Sequence, residues 1–96
     1  MVDLQQVTCS EVQFHEAFGR IVERRRRARG ISTQQLAARC GVTISDIDRI
    51  ECGCRAVSIH ELIQLTWALE TPPHVLFREV RHLLCLAVMS PEAVQQ

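Results

Sequence analysis

The sequence predicts an all-α protein of five helices joined by short connections, and three observations carry that prediction. Apolar residues recur at spacings of three and four, and no segment alternates with the period of two that marks a half-buried strand. Ser or Thr stands ahead of each of the first four apolar runs, with Gly or Pro behind. Aromatic residues make up only 4% of a chain that is 47% apolar, a balance that suits a helical core.

Residues 1–9 read as a loose arm. Ser10 with Gln13 matches a capping box, and Glu11 stands where the helix dipole favours a negative charge. Phe14, Ala17, Phe18, Ile21 and Val22 then keep helical spacing until Gly30 supplies a stop. Ser32 caps a short second helix with Leu36, Ala37 and Cys40 on its inner side, and Gly41 ends it. Thr43 caps a third, carrying Ile44, Ile47 and Ile50 and closing before Gly53. Ser58 caps a fourth, with Ile59, Leu62, Ile63, Leu65, Ala68 and Leu69 expected inside. Pro72-Pro73 breaks the chain and starts a fifth, since proline fits the first turn of a helix.

Ninety-six residues hold one domain and one modest core, with little room for an enzyme cleft. No apolar stretch approaches a membrane span, and the N-terminal residues lack the regions of a signal peptide. The expected compartment is the cytoplasm, where five cysteines are not disulfides by default. The net charge is zero but unevenly spread: −3 over residues 1–17, +5 over 18–57 and −2 over 58–96. A basic middle between acidic ends can present a positive face to phosphates.

The pair of short helices around Gly41 carries the most specific signal. Counting from Thr33, apolar or small residues stand at the fourth, fifth, eighth to tenth, fifteenth and eighteenth places: Leu36, Ala37, Cys40-Gly41-Val42, Ile47 and Ile50. Ala37 lies where one helix crosses the other, Gly41 makes the turn, and the remainder seat both helices on a core. Together with Gly30-Ile31-Ser32, Thr43, Glu51, Gly53, Leu62, Ala68-Leu69 and Leu76-Phe77, this stretch from Phe18 to Phe77 resembles the lambda-repressor/Cro (Xre-type) family of helix-turn-helix regulators.

The resemblance implies a five-helix, lambda-repressor-like DNA-binding domain over residues 10–78, with its helix-turn-helix at 33–52. It implies major-groove binding of operator DNA, in a bacterial or phage setting. It also implies an ion pair between Arg26 and Glu51, either purely structural or holding the guanidinium near a phosphate. Three departures stand out: Thr33 where the family usually has Gln, Glu70 for the usual Gly after helix 4, and Val57 for the usual Pro before it.

By register, the recognition helix offers Ile44, Ser45 and Arg49 to base edges, with Asp46 and Asp48 beside them. The Arg49 fork suits guanine O6 and N7, unless Asp46 or Asp48 pairs with it instead. Ile44 suits a thymine methyl, and Asp46 can accept from cytosine N4. Phosphate contacts are expected from Ser32, Thr33, Gln34, Thr43, Arg55 and Arg26. The run Arg24–Arg27 turns about 100° per residue, so not all four can face one ligand.

Residues 79–96 are expected to form a C-terminal dimerisation helix and tail, an extension of helix 5 or an addition to the fold. Leu83 to Met89 are seven consecutive apolar residues, more than one face of a short helix needs. Val80, Leu83, Leu84, Ala87 and Val88 are the expected interface, unless the helix folds back on its own core. Cys52 and Cys54 are a candidate redox pair, with Arg55 expected to lower the Cys54 thiol. His15, His60, His74 and His82 show no ligand spacing, so neither a metal nor a cofactor is expected.

The leading expectation is a dimeric regulator reading a two-fold symmetric operator, as repressor or controller. The alternative is a protein-interaction module, such as an antitoxin or anti-activator, that has partly lost DNA reading. No acid/base pair, organised nucleophile or phosphate-cradling loop points to an enzyme.

Overall fold

The computed structural model describes residues 10–88. Five helices follow in order: α1 Glu11–Ala28, α2 Thr33–Cys40, α3 Ile44–Glu51, α4 Ile59–Ala68 and α5 Pro73–Val88. The expected arm at residues 1–9, and the tail from Met89 onward, lie outside the described residues.

Each of the first four helices starts with a reciprocal capping box. Ser10, Ser32, Thr43 and Ser58 accept from the amides of Gln13, Gln35, Asp46 and Glu61, whose side chains reach back to the cap amides. Two otherwise orphaned helix-terminal amides are satisfied each time, which defines the starts of α2 and α3, only eight residues each. Gly41 ends α2 in the left-handed conformation (φ 70°), and the Val42 amide donates to the Ala37 carbonyl at 3.1 Å.

The core is continuous across all five helices. Phe18, Ile21 and Val22 from α1 meet Leu36 and Ala37 from α2 and Ile47 and Ile50 from α3. Leu65 and Leu69 close one side, with Leu76 and Val80 from α5. Burying each of these larger side chains is worth about 1.5–3 kcal/mol. Thr66 is buried too, and its hydroxyl is satisfied by donating to the Ile63 carbonyl at 2.7 Å.

Three expectations from the sequence are corrected here. Ile59 and Ile63 are not inside: they are 73% and 42% exposed. Residues 59, 63 and 67 share one stripe at helical spacing, and the core side of α4 is filled by Leu62, Leu65, Thr66 and Ala68. Val80 is only 2% exposed, packed in its own core, so its side chain is not offered to a second chain. Leu83 and Leu84 are half-buried against that same core, while the side chains of Ala87 and Val88 lie outside the described residues. Helix α5 is an extended fifth helix, running without a break through residues 78 and 79.

Candidate nucleic-acid interface

Helix α3 is held from behind. Its inner side buries Ile47 and Ile50, while Ile44, Ser45, Asp48 and Arg49 are exposed. On α1, buried Gly19 lets the C-terminal turn of α3 approach the α1 backbone directly. A Cβ at that position would overlap the Ile50 carbonyl oxygen and stand 2.6 Å from that of Glu51. Gly19 lies outside the helix-turn-helix pattern and went unmarked in the sequence. A glycine inside an apolar-periodic helix was the available signal.

Two turns further along α1, the expected pair of Arg26 and Glu51 is present and shielded from solvent. Arg26 Nε and Nη2 donate to the two carboxylate oxygens at 2.6 and 3.1 Å, and Nη1 donates to the Ile31 carbonyl at 3.0 Å. One guanidinium therefore joins α1, the α1–α2 turn and the end of α3. Arg26 is buried within the protein's own frame, which corrects its assignment as a phosphate contact.

Asp46 is occupied as well. Its carboxylate accepts from the Thr43 amide at 3.2 Å and lies 3.8 Å from Arg55 Nε. Those Thr43 hydrogen bonds are the main cause that holds it below the usual carboxylate range. Asp46 closes the cap of the recognition helix rather than projecting from it, a correction to its reading as a base contact. Arg55 is clamped by Glu61, with Nη1 donating to Oε1 at 3.0 Å and Nη2 to the other oxygen. That clamp, together with the Ser58 amide, lowers the Glu61 carboxyl to about 2.

The arginine-rich middle is mostly drawn into the fold. Arg25 pairs with Glu79 at 2.7 Å, Arg27 with Glu23 at 3.0 Å, and Arg29 donates to the Glu70 carbonyl at 2.9 Å. Arg39 donates to the Ala68 carbonyl at the end of α4. Glu61, Glu70 and Glu79 all lie outside the basic segment, so the charge separation seen along the chain is largely neutralised in space. Arg20, Arg24 and Arg49 have no carboxylate partner among the described residues. The alternative pairing of Arg49 with Asp46 or Asp48 is not formed.

Ser32 and Gln34 are exposed at the start of α2, with Thr33 half-buried between them. The oxygens of Ser32 and Thr43 already accept capping hydrogen bonds.

This is a helix-turn-helix with its outer helix locked on the core, and a family model described as a helix-turn-helix domain matches residues 17–79. The chain belongs to the lambda-repressor/Cro-like family of helix-turn-helix regulators. Among solved structures, this family member is similar to the restriction-modification controller protein C.AhdI from Aeromonas hydrophila. That match has 34% identity and a TM-score of 0.62, covering 65% of this chain and 94% of C.AhdI. It shares its fold with the clp gene regulator ClgR from Corynebacterium glutamicum, at TM-score 0.80 and 21% identity over 85% of this chain and 87% of that one. No curated protein matches it in sequence.

The cysteines do not form the activated pair expected of them. The Cys52 thiol donates to the Arg49 carbonyl at 3.3 Å, and the Cys54 thiol to the Cys52 carbonyl at 3.9 Å. Interaction with Cys52 is the main cause that pushes the Cys54 thiol up, and Arg55 is turned to Glu61. The premise that Arg55 makes Cys54 a ready thiolate is thereby corrected. Among the described residues, no group of three or more His, Cys, Asp or Glu is placed to hold a metal ion, and no helix is long and apolar enough to cross a membrane.

Proposed function

We propose that this chain is a sequence-specific transcription regulator that reads a two-fold symmetric operator as a homodimer, with α3 in the major groove. The observation that carries this reading is the state of Arg49. It is exposed on the outer side of a capped, core-seated helix and has no carboxylate partner among the described residues, whereas most arginines around it are held. A free guanidinium on the recognition helix retains its fork for guanine O6 and N7. Ile44 and Ser45 flank it as base contacts, and Ser32, Thr33, Gln34 and Thr43 serve as backbone anchors. Arg55, just after α3, has its charge matched by Glu61 and Asp46 and is not counted among these anchors.

C.AhdI is a restriction-modification controller protein, and this chain takes the same kind of role, as repressor or controller. The test is selection of genomic fragments by the purified protein, followed by binding to the enriched duplex across a salt series. Enrichment of an inverted repeat, with half-sites about one DNA turn (~34 Å) apart and affinity falling steeply with salt, supports the reading. Weak, sequence-indifferent binding refutes it and leaves the protein-interaction alternative.

A further inference from the structure

We infer that Cys52 and Cys54 close a reversible disulfide across Gly53, and that this closure weakens operator reading by disturbing the turn that holds Arg49. The second half rests on the reading of Arg49 as a base contact. Both cysteines are exposed, although free cysteine is among the residue types most often buried. Core packing therefore gives no account of them. The missing activation by Arg55 bears on how fast such a pair closes, not on whether it can.

The backbone places the two thiols for closure. Residues two apart have Cα atoms no more than about 7 Å from one another, and a folded turn between them brings that inside the ~4.4–6.8 Å that a disulfide spans. Gly53 folds this turn in the left-handed conformation, φ 77°. The turn is held from the α1 side: a Cβ at residue 53 would stand 2.7 Å from the Glu16 Cα, so only glycine fits against that helix. Side-chain interaction with Cys52 is the main cause that pushes the Cys54 thiol up, which requires the two sulfurs to be neighbours.

The same turn is tied to the recognition helix. The Arg49 carbonyl accepts from the Cys52 thiol at 3.3 Å and from the Cys54 amide at 2.9 Å. The Cys54 thiol donates to the Cys52 carbonyl at 3.9 Å. Oxidation removes both of these sulfur donors and draws the two Cβ atoms to ~3.8 Å. Neither flank can absorb that movement, because Glu51 is locked by Arg26 and Arg55 by Glu61. The adjustment passes into the last turn of α3, which carries Arg49.

The oxidant that suits an exposed pair is a low-molecular-weight disulfide, with glutathione disulfide as the probe. Cys54 holds its proton more firmly, so the Cys52 thiolate attacks first, forming a mixed disulfide and expelling one glutathione thiolate. The Cys54 thiolate then attacks the Cys52 sulfur and expels the second. Two electrons pass from the two thiols to glutathione disulfide, and the two thiol protons finish on the two glutathione molecules released. Excess dithiothreitol reverses the sequence.

Trypsin cuts after Arg49 and Arg55, so residues 50–55 leave the chain as one peptide holding only Cys52 and Cys54, while Cys9, Cys40 and Cys85 fall on separate peptides. The folded full chain is treated with glutathione disulfide, alkylated and digested. The expected peptide has lost two hydrogens, carries neither alkyl group nor glutathione, and regains both thiols when dithiothreitol precedes alkylation. Undigested oxidised protein should show amide shifts centred on residues 49–54 and an operator affinity about tenfold lower, both restored by the reductant. Cys54→Ser should bind the operator as wild type does and lose the response, whereas Cys85→Ser should keep it. A peptide 50–55 that stays reduced, or ends as a glutathione adduct or a link to another cysteine, overturns the proposal. So does an internal disulfide that leaves the α3 amides and the operator affinity unchanged. If the reduced protein selects no operator, the operator reading fails, and the mass and amide measurements still decide whether the pair closes and moves α3.

Discussion

Arg26 and Glu51 are 25 residues apart in sequence and joined by two side-chain hydrogen bonds, with a third from the same guanidinium to Ile31. Both side chains are about nine-tenths buried, at 11% and 9% exposure. Removing one partner of such a pair leaves the other charge buried and unmatched, at a cost of about 3–5 kcal/mol. Arg26→Ala should therefore lose about 3 kcal/mol in urea unfolding. Arg26→Lys should recover only part of that, because an ammonium cannot span both carboxylate oxygens and the Ile31 carbonyl.

Gly19 and Ile50 meet backbone to backbone. A methyl group at residue 19 must displace the last turn of α3, since the obstructing atoms are carbonyl oxygens and cannot rotate away. Gly19→Ala is expected to destabilise by about 1–3 kcal/mol, even though alanine is the better helix former. Operator affinity should fall as well, because the recognition helix changes its angle. Thermal unfolding and binding measured on the same variant check both effects.

Glu70 occupies a left-handed conformation, φ 53°, where a Cβ is unfavourable by about 1 kcal/mol. Its carboxylate lies 4.0 Å from Arg29 with both side chains exposed, an ion pair of little worth. Glu70→Gly should raise stability by about 0.5–1 kcal/mol in urea unfolding, with DNA binding unchanged.

Glu61 titrates near 2 in the folded chain against 4.5 for a free glutamate. A depressed folded value means that its ion pair with Arg55 stabilises the fold fully above pH 4.5 and progressively less as pH falls from 4.5 toward 2. For a partly exposed pair that contribution is about 1 kcal/mol. The stability difference between wild type and Glu61→Gln, followed by denaturation at several pH values, should be largest above pH 4.5 and shrink below it.

Much of the architecture was legible because its signals are local. A Ser or Thr cap and its partner three residues on lie within one turn, so four helix starts could be read directly. The turn at Gly41 was equally local. Contacts made at a distance were harder. Arg25 and Arg26 appeared to add to a positive surface because their partners, Glu79 and Glu51, lie far along the chain. Ile59 and Ile63 were placed inside because α4 is apolar on more than one side, and periodicity alone does not say which stripe meets the core. Asp46 looked like a reader until its capping role showed that its carboxylate is already engaged.

The most direct test of the central claim is base discrimination by Arg49. Affinities of wild type and Arg49→Ala are measured at one fixed salt concentration for the selected operator and for operators substituted at each position of one half-site. The account predicts that wild type loses about 1–3 kcal/mol when one particular guanine is replaced, and that Arg49→Ala no longer distinguishes that base while still discriminating elsewhere. A uniform loss at every position would make Arg49 a phosphate contact, and no loss at all would mean that α3 does not read DNA through this residue. Either of those results contradicts the account.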